Sequence, residues 1–239
     1  MNKIKVSAVS YTNTTPFIYG IKNTSLLDNI DLSLDIPSTC AQKLIDNTVD
    51  VGLVPVAALL HIPDYQIISD YCIGATGAVN SVFIFSNKPV QEIKTLRLDL
   101  QSRTSNNLAR VLLKNYWKQS VELVDSNEAD AFVEIGDRTF GKKGHYPFAY
   151  DMGEEWMNFT GLPFAFAVWA ANKHLPQTFI TEFNQAMKFG LDNRDKVINE
   201  LPKRDDFDIA HYLNHSIDFM LTAEKKEAIA RFHAYIKEL

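Results

Sequence analysis

The feature that most constrains the fold is a regular alternation of short apolar segments in the first 60 residues. Residues 3–10, 32–36 and 49–54 are compact runs rich in β-branched and aliphatic side chains. The stretches 38–47 and 55–60 carry their apolar residues at helical spacing instead. Strand and helix patterns that alternate at this spacing are typical of parallel βαβ units. We therefore predict an α/β protein that begins with a parallel sheet.

Two longer strand patterns border a middle region of different character. They cover residues 81–86 and 164–171, and the pattern is helical from residue 176 to the end. No Gly/Ser linker and no internal repeat separates these regions. We predict two α/β lobes joined by crossing strands, with residues 1–87 and 172–239 in lobe 1 and residues 88–171 in lobe 2. A cleft between such lobes is a preferred site for a small ligand.

Composition excludes several classes of protein. Of the 239 residues, 46% are hydrophobic and 22% are charged, which is typical of a globular chain and not of a disordered one. The longest uncharged runs have 17 residues, fewer than the roughly 20 that a membrane-spanning helix needs. No apolar signal-peptide core is visible in the first 17 residues. We expect a cytoplasmic protein with no membrane partner.

The net charge and the Cys and His residues limit which partners and ligands the protein is expected to bind. A net charge of −5 argues against nucleic acid, which needs a basic surface. Cys40 and Cys72 form no disulfide framework or metal-ligand spacing, and we expect them in the core. His211 and His215 are four residues apart, but Tyr212 stands where a zinc protease motif has Glu. We therefore expect no metal and no cofactor. A small anionic ligand stays possible, because backbone N–H groups, hydroxyls or a single Arg could hold it.

The first of four polar segments follows the first predicted strand directly. It covers residues 10–17 and includes Ser10, Tyr11 and Asn13. Polar side chains at the carboxyl end of a parallel strand face the ligand crevice of an open α/β sheet. A capped turn into a short helix would use the same residue types, because Asn and Thr cap helices well. Both interpretations stay open.

The other three segments also lie at the ends of predicted elements. Residues 77–82 open an apolar strand with Asn80 and Ser81, although an ordinary polar strand start is the alternative. A strand ending at residue 135 leads into Gly136 and Asp137, where a backbone could approach a ligand or simply turn. Residues 101–107 begin a helix whose free N–H groups and hydroxyls could bind a carboxylate, or only cap it. The candidates in this helix start are Ser102, Arg103, Thr104 and Ser105.

These segments, in this order, resemble the chorismate dehydratase family of the futalosine route to menaquinone. The matching stretches are VSYTNTTPF (9–17), DVGLVPVAAL (50–59), NSVFIFSNKP (80–89), LDLQSRTSNNLARVLL (98–113), EIGD (134–137) and GLPFAFAVW (161–169). The resemblance covers residues 6–169, and the C-terminal helices match only in type. Any one stretch is a weak signal, whereas six in register are specific.

The resemblance implies a fold, a reaction and a set of site residues. The fold is that of the type II periplasmic binding proteins, and the reaction is loss of water from chorismate to give 3-[(1-carboxyvinyl)oxy]benzoate. By carry-over, Asn13 and Ser81 lie at the reacting centre. The residues expected to bind the substrate are Ser10, Tyr11, Asn80, Ser102, Arg103, Thr104, Ser105, Gly136 and Asp137.

Some positions depart from the family pattern. Thr12 stands where the family more often has Leu, and Arg138 and Thr139 stand where Ala and Leu are usual. None of these changes removes a polar residue that the family uses. A sister family makes 1,4-dihydroxy-6-naphthoate and carries a Cys-Pro-Asn-Asp type motif after strand one. Here residues 11–14 read Tyr-Thr-Asn-Thr, which favours the dehydratase.

Two questions stay open at the level of sequence. A solute-binding module for a small carboxylate, without turnover, is the competing class, because a fold does not determine a function. The general base is also undecided. Asp137 is the nearest candidate by position, and the alternative is substrate assistance, in which the enolpyruvyl carboxylate of chorismate takes the C3 proton. The oligomeric state is not predicted.

Overall fold

The computed structural model describes residues 3–239, and in that part of the chain eleven strands form two sheets. The strands are β1 (Ile4–Val9), β2 (Ile30–Asp35), β3 (Val51–Pro55), β4 (Gln66–Ala75), β5 (Val82–Ser86), β6 (Thr95–Arg97), β7 (Glu122–Leu123), β8 (Ala131–Ile135), β9 (Phe148–Asp151), β10 (Phe164–Ala171) and β11 (Asp218–Met220).

Helices cover both sheets, and several connections are short 3-10 or π turns. The α-helices are α1 (Thr15–Lys22), α2 (Leu26–Asn29), α3 (Pro37–Ile45), α4 (Arg103–Val111), α5 (Met152–Thr160), α6 (Gln177–Asp192), α7 (Arg194–Glu200), α8 (Ile209–His211) and α9 (Ala223–Lys237). The 3-10 segments are Thr12–Thr14, Val56–His61, Val90–Glu92, Gly136–Thr139 and Lys143–His145, and the π segments are Leu112–Tyr116 and Tyr212–Ser216.

The first sheet has the order β11-β4-β10-β3-β1-β2. Strand β1 pairs in parallel with both β2 and β3, as the alternation in the first 60 residues predicts. The long strand β10 runs antiparallel between β3 and β4. The sheet is therefore parallel at its N-terminal side and antiparallel where the chain returns to it. We call this sheet and its helices the first lobe.

The second sheet has the order β7-β6-β8-β5-β9 and belongs to the second lobe. Strand β6 is parallel to β7 and β8, whereas β5 is antiparallel to β8 and β9. The chain crosses from the first lobe to the second between β4 and β5, and returns between α5 and β10. The predicted α/β architecture with two lobes is confirmed.

The predicted lobe boundaries need correction by one strand at each crossing. The boundary at residue 87 places residues 82–86 in lobe 1, but β5 lies in the second sheet. The boundary at residue 171 places residues 164–171 in lobe 2, but β10 lies in the first sheet. Both are continuous apolar runs buried on both faces, so their sequence does not indicate which sheet they join.

Local sequence explains where the helices next to the cleft begin. Helix α3 starts at Pro37, which is suited to the first helical position because its missing N–H is not needed there. Ser102 caps α4, its Oγ accepting a hydrogen bond from the backbone N–H of Ser105 at 3.0 Å. Asp151 caps α5 by accepting from the N–H groups of Gly153 and Glu154. These caps hold the polar helix starts at the edges of the sheets.

Large apolar side chains form the core, as the composition predicts. Phe17, Trp169 and Phe183 are fully buried around the first sheet and meet edge to face. Cys40 and Cys72 are also fully buried, which confirms their expected place in the core. Within residues 3–239, no helix is long and apolar enough to cross a membrane.

Candidate functional site

A pocket lies between the two lobes, where strands of both sheets end. The space between atoms there is about 520 Å³, and part of it is open to solvent. Its lining comes from the ends of β1, β3 and β8, from the start of α4 and from the crossing strands. The lining residues are Val9, Tyr11, Asn13, Thr14, Pro37, Pro55, Ile73, Val79, Ser81, Val82, Ser102, Thr104, Ser105, Ile135, Gly136, Phe166 and Ala167.

The polar groups of this lining are all uncharged side chains or backbone groups. Among residues 3–239, no Asp, Glu, His, Lys or Arg lines the pocket. No group of three or more His, Cys, Asp or Glu side chains in the same range could hold a metal ion. The pocket therefore offers hydroxyl, amide and backbone N–H groups to a ligand, set among apolar side chains.

Asn13 and Ser81 are brought together through a third residue, Tyr212. The Tyr212 hydroxyl donates to Ser81 Oγ at 2.8 Å, and Asn13 Nδ2 donates to the Tyr212 oxygen at 3.3 Å. Asn13 lies in the 3-10 turn after β1, and Ser81 stands immediately before β5. The two residues predicted to lie at the reacting centre thus share one hydrogen-bonded network at the back of the pocket.

Tyr212 was missed as a site residue in the sequence analysis. Its only sequence signal was the absence of a Glu between His211 and His215. In the structure it begins a π turn, and its side chain is 1% exposed. Burial raises the pKa of its hydroxyl above the ordinary value of 10.0, so the phenol stays protonated at neutral pH.

The start of α4 forms the polar wall of the pocket on the side of the second lobe. Ser102, Thr104 and Ser105 are all buried and line the pocket. The Thr104 hydroxyl oxygen accepts a hydrogen bond from the N–H of Ala57, across the cleft, at 3.2 Å. The helix start therefore faces the ligand space with its hydroxyls and with the positive end of the helix dipole.

Tyr11 and Gly136 close the pocket from opposite lobes. Gly136 has φ +65°, and a Cβ there would lie 2.7 Å from the Tyr11 ring, so the site requires glycine on both grounds. The Tyr11 hydroxyl donates to Gln101 Oε1, in the loop before α4. Burial raises the pKa of the Tyr11 phenol, with Arg138 acting in the opposite direction. The ring therefore bridges the lobes as a neutral phenol.

Charged residues lie beside the pocket and are paired with protein groups. The Asp137 carboxylate accepts from the N–H of Thr12 at 3.0 and 3.1 Å and from the Thr12 hydroxyl at 2.9 Å. Burial raises the pKa of Asp137, and the bonds from Thr12 lower it in part. Arg138 forms a salt bridge with Asp99 at 2.6 Å. Two of the positions that depart from the family pattern, Thr12 and Arg138, are thus engaged in these contacts.

Four predicted site residues do not line the pocket. Ser10 is exposed at the end of β1. The Asn80 amide donates to Ser216 Oγ at 3.0 Å. Arg103, at the start of α4, donates to Gln42 Oε1 at 2.8 Å. The carboxylate of Asp137 is directed to Thr12 instead of the ligand space. Direct contact of these four with a substrate stays a prediction, and the seven others line the pocket.

Solved structures share this fold over nearly the whole chain. Protein AF1704 from Archaeoglobus fulgidus matches with a TM-score of 0.76 at 16% identity, over 99% of this chain and 97% of that one. The Candida albicans CA3427 gene product, described as having the generic periplasmic binding protein fold, matches at 0.66 and 11% identity, over 100% and 94%. The periplasmic aliphatic sulphonate binding protein SsuA from Escherichia coli matches at 0.60 and 13% identity, over 100% and 92%. The chain has the periplasmic binding protein fold.

The sequence itself matches a family over nearly its full length. The match spans residues 4–238 and is to the family described as menaquinone biosynthesis. It includes the C-terminal helices, which the six matching stretches did not reach. The resemblance read from those stretches is confirmed at this level, and the function of the protein lies in menaquinone synthesis. The chain belongs to the menaquinone biosynthesis family.

Proposed function

We propose that this protein is a chorismate dehydratase, which converts chorismate to 3-[(1-carboxyvinyl)oxy]benzoate and water in the futalosine route to menaquinone. The observation that carries the proposal is that Asn13 and Ser81, linked through Tyr212, line one pocket with no charged side chain among the described residues of its lining. Chorismate brings its own two carboxylates. A pocket of neutral donors suits such a substrate, because it binds anions without adding a competing carboxylate.

The reaction breaks two bonds of the ring. The C3–H bond breaks and its electron pair forms a ring double bond, while the C4–O bond breaks and the oxygen leaves. The oxygen departs as water when it receives one proton, and the ring becomes aromatic. Aromaticity supplies the driving force, so the protein has to hold the substrate and assist the leaving oxygen. We assign the latter role to the Ser81 hydroxyl, which lines the pocket.

The two carboxylates need donors on the walls of the pocket. The start of α4 supplies the hydroxyls of Ser102, Thr104 and Ser105 together with backbone N–H groups. Each charge-assisted hydrogen bond of this kind contributes roughly 1.5–3 kcal/mol. Asn13, on the opposite wall, retains an amide N–H beyond the one given to Tyr212 and orients the ring.

The C3 proton needs a base, and we propose that the substrate provides it. Asp137, the alternative base, has its carboxylate engaged by Thr12 and lies outside the pocket lining. The enolpyruvyl carboxylate is bonded to the vinyl carbon that carries the ether oxygen of C3, and it can reach the C3 hydrogen within the same molecule. The C3 anion that develops is conjugated with the ring carboxylate, which spreads the charge.

The test is incubation of the purified protein with chorismate, followed by liquid chromatography with mass detection. We expect a time-dependent product lighter by one water with an aromatic ultraviolet spectrum. Ser81→Ala should lower its rate by about 10²–10³-fold, the usual effect of losing one well-placed donor. The control variant is Ser126→Ala, because Ser126 lies in an exposed loop of the second lobe and bonds only a neighbouring backbone N–H.

Other outcomes would contradict the proposal in distinguishable ways. Unchanged chorismate that protects the protein against thermal unfolding would indicate a solute-binding module. No turnover and no protection would direct attention to the 1,4-dihydroxy-6-naphthoate synthase reaction. The cytoplasmic location and the lack of a nucleic-acid partner, both expected from the sequence, stay predictions.

A further inference from the structure

We propose that Tyr212 is a positioning residue for Ser81. Its hydroxyl donates a hydrogen bond to Ser81 Oγ, and this bond directs the Ser81 proton into the pocket. This inference rests on the proposed function, because it concerns the group assigned to the leaving oxygen. It extends the function to a residue that lies in the C-terminal part of the chain, outside the stretches that suggested the activity.

The order of donors along the network carries the inference. A phenol has one proton, and Tyr212 gives it to Ser81 Oγ at 2.8 Å. The Tyr212 oxygen accepts in turn from Asn13 Nδ2 at 3.3 Å. The Asn13 oxygen accepts from the Thr14 hydroxyl at 3.2 Å, which leaves the amide N–H groups to act as donors. The chain of bonds therefore runs in one direction, from Thr14 to Ser81.

Ser81 is the last member of this chain, and its own proton has no protein acceptor. Within residues 3–239, the only hydrogen bond of its hydroxyl is the one received from Tyr212. Ser81 is 1% exposed and lines the pocket. Its O–H is therefore free to donate into the ligand space, where the departing oxygen of the substrate would be. Bonds in such a chain polarise one another in a low-dielectric interior, which makes the terminal hydroxyl a better donor.

Packing around the Tyr212 ring connects this arrangement to closure of the lobes. Phe140, just after the turn that follows β8 in the second lobe, stacks on Phe207 with ring centroids 3.8 Å apart. Both rings meet Tyr212 nearly edge to face, at 5.2 and 5.3 Å. Phe207 and Tyr212 belong to the segment between α7 and β11, and Ser81 stands at the start of the second lobe. Tyr212, from the segment that leads to β11 of the first sheet, thus contacts both Phe140 and Ser81 of the second lobe.

The proposed role of Tyr212 is tested by comparing Tyr212→Phe with Tyr150→Phe in steady-state turnover of chorismate. The first variant keeps the ring among Phe140 and Phe207 and removes only the hydroxyl. The control removes a hydroxyl that accepts from the Val90 N–H at 2.8 Å, away from the pocket. We expect Tyr212→Phe to lower kcat about 10²-fold with KM nearly unchanged, and Tyr150→Phe to retain both.

A double-mutant cycle separates positioning from a general structural effect. If Tyr212 acts through Ser81, its substitution should add almost no further loss in the Ser81→Ala background. An undiminished kcat in Tyr212→Phe would overturn the inference. So would a double variant whose kcat falls by the full product of the two single-variant effects. A wild-type protein that makes no product from chorismate would instead refute the proposed function, so the two failures are distinct.

Incorporation of 2,3-difluorotyrosine at position 212 keeps the test decisive if the Phe variant is unstable. Fluorination retains the ring and the O–H and makes the phenol a stronger donor. We expect kcat equal to or above that of the wild type, and no change when the same residue replaces Tyr150. A fall of kcat at position 212 with native thermal stability would contradict the proposed donor order.

Discussion

The interior of the cleft and its rim are built from different chemistry. The cleft interior, meaning the pocket-lining residues, presents only uncharged groups within residues 3–239, such as those of Asn13 and Ser81. The cleft rim, meaning Asp99, Arg103, Asp137 and Arg138, carries the charges, and each of them is bonded to another protein group. Under the proposed function, the interior binds the ligand, whereas the rim holds the two lobes and the pocket wall in place.

This division has an electrostatic reason. A charged side chain in an enclosed pocket must be paired, because burial without a partner costs several kcal/mol. A carboxylate in the interior would repel the proposed substrate, a dianion, and a cation would hold the proposed product, also a dianion, as tightly as the substrate. Neutral donors avoid both effects. Variants in the interior should therefore reduce kcat, and variants in the rim should act on closure and stability.

The largest effect is expected in the interior, at Asn13. Asn13→Ala removes the donor to Tyr212 and the amide that faces the pocket, and kcat should fall about 10²–10³-fold. The measurement is product formation from chorismate at saturating substrate. Asn23→Ala is the matched control, since the Asn23 amide bonds only the Tyr19 carbonyl at the exposed end of α1 and should leave kcat unchanged. An active Asn13→Ala enzyme would place the chemistry elsewhere.

The next effect is expected where interior and rim meet, at Gly136. Gly136→Ala should raise KM strongly, because the new Cβ would lie 2.7 Å from the Tyr11 ring and keep the lobes apart. Gly161→Ala is a close control, since it also has a positive φ, +73°, but no atom within 4 Å of the added Cβ. Both variants should lose about 1–2 kcal/mol of stability from backbone strain. Equal KM values in the two would show that the Tyr11 contact is not needed for closure.

A rim substitution at Asp137 should affect stability more than turnover. Under the proposed mechanism, in which the substrate serves as the base, Asp137→Asn should change kcat by less than about tenfold, or 1.4 kcal/mol in the barrier. A collapse of kcat with folding and substrate affinity intact would make Asp137 the base. The stability of the variant is best followed by thermal unfolding at several pH values.

The pH dependence should have opposite signs at Asp137 and at a structural carboxylate, Asp130. Burial raises the folded-state pKa of Asp137, so this group destabilises the fold as pH rises through that pKa. Asp137→Asn should therefore gain stability relative to the wild type between acidic and neutral pH. The hydrogen bond from Lys88 lowers the pKa of Asp130 to about 2 from 3.8. Asp130→Asn should lose stability at neutral pH, and this deficit should vanish as pH falls toward 2.

The smallest effect is expected for Arg103. Its guanidinium donates to the neutral Gln42 side chain on the surface, and such a bond contributes only about 0.5–1.5 kcal/mol. Arg103→Ala and Gln42→Ala should raise KM slightly and equally, with kcat unchanged. A loss of substrate affinity confined to Arg103→Ala would mean that the guanidinium turns into the pocket and binds a carboxylate.

The segments that border the pocket are easier to predict from the sequence than the direction of individual side chains. Residues that follow a parallel strand or begin a helix, such as Asn13 and Ser105, line the pocket because strand ends meet at one edge of a sheet. The same rule selected Asp137 and Arg103, which stand at equivalent positions but are bonded to Thr12 and Gln42. Position along the chain does not indicate which way a side chain turns.

The sequence by itself determined the α/β class, the parallel start of the first sheet, the menaquinone family and the segments that border the cleft. These follow from local periodicity and motif, which neighbouring residues carry together. Only the tertiary structure decided that β5 joins the second sheet and β10 the first, that the described lining of the pocket is uncharged, and that Tyr212 contacts Ser81. Each of these depends on how two sheets, joined by crossing strands, bring distant residues to one point, and no local pattern encodes that distance.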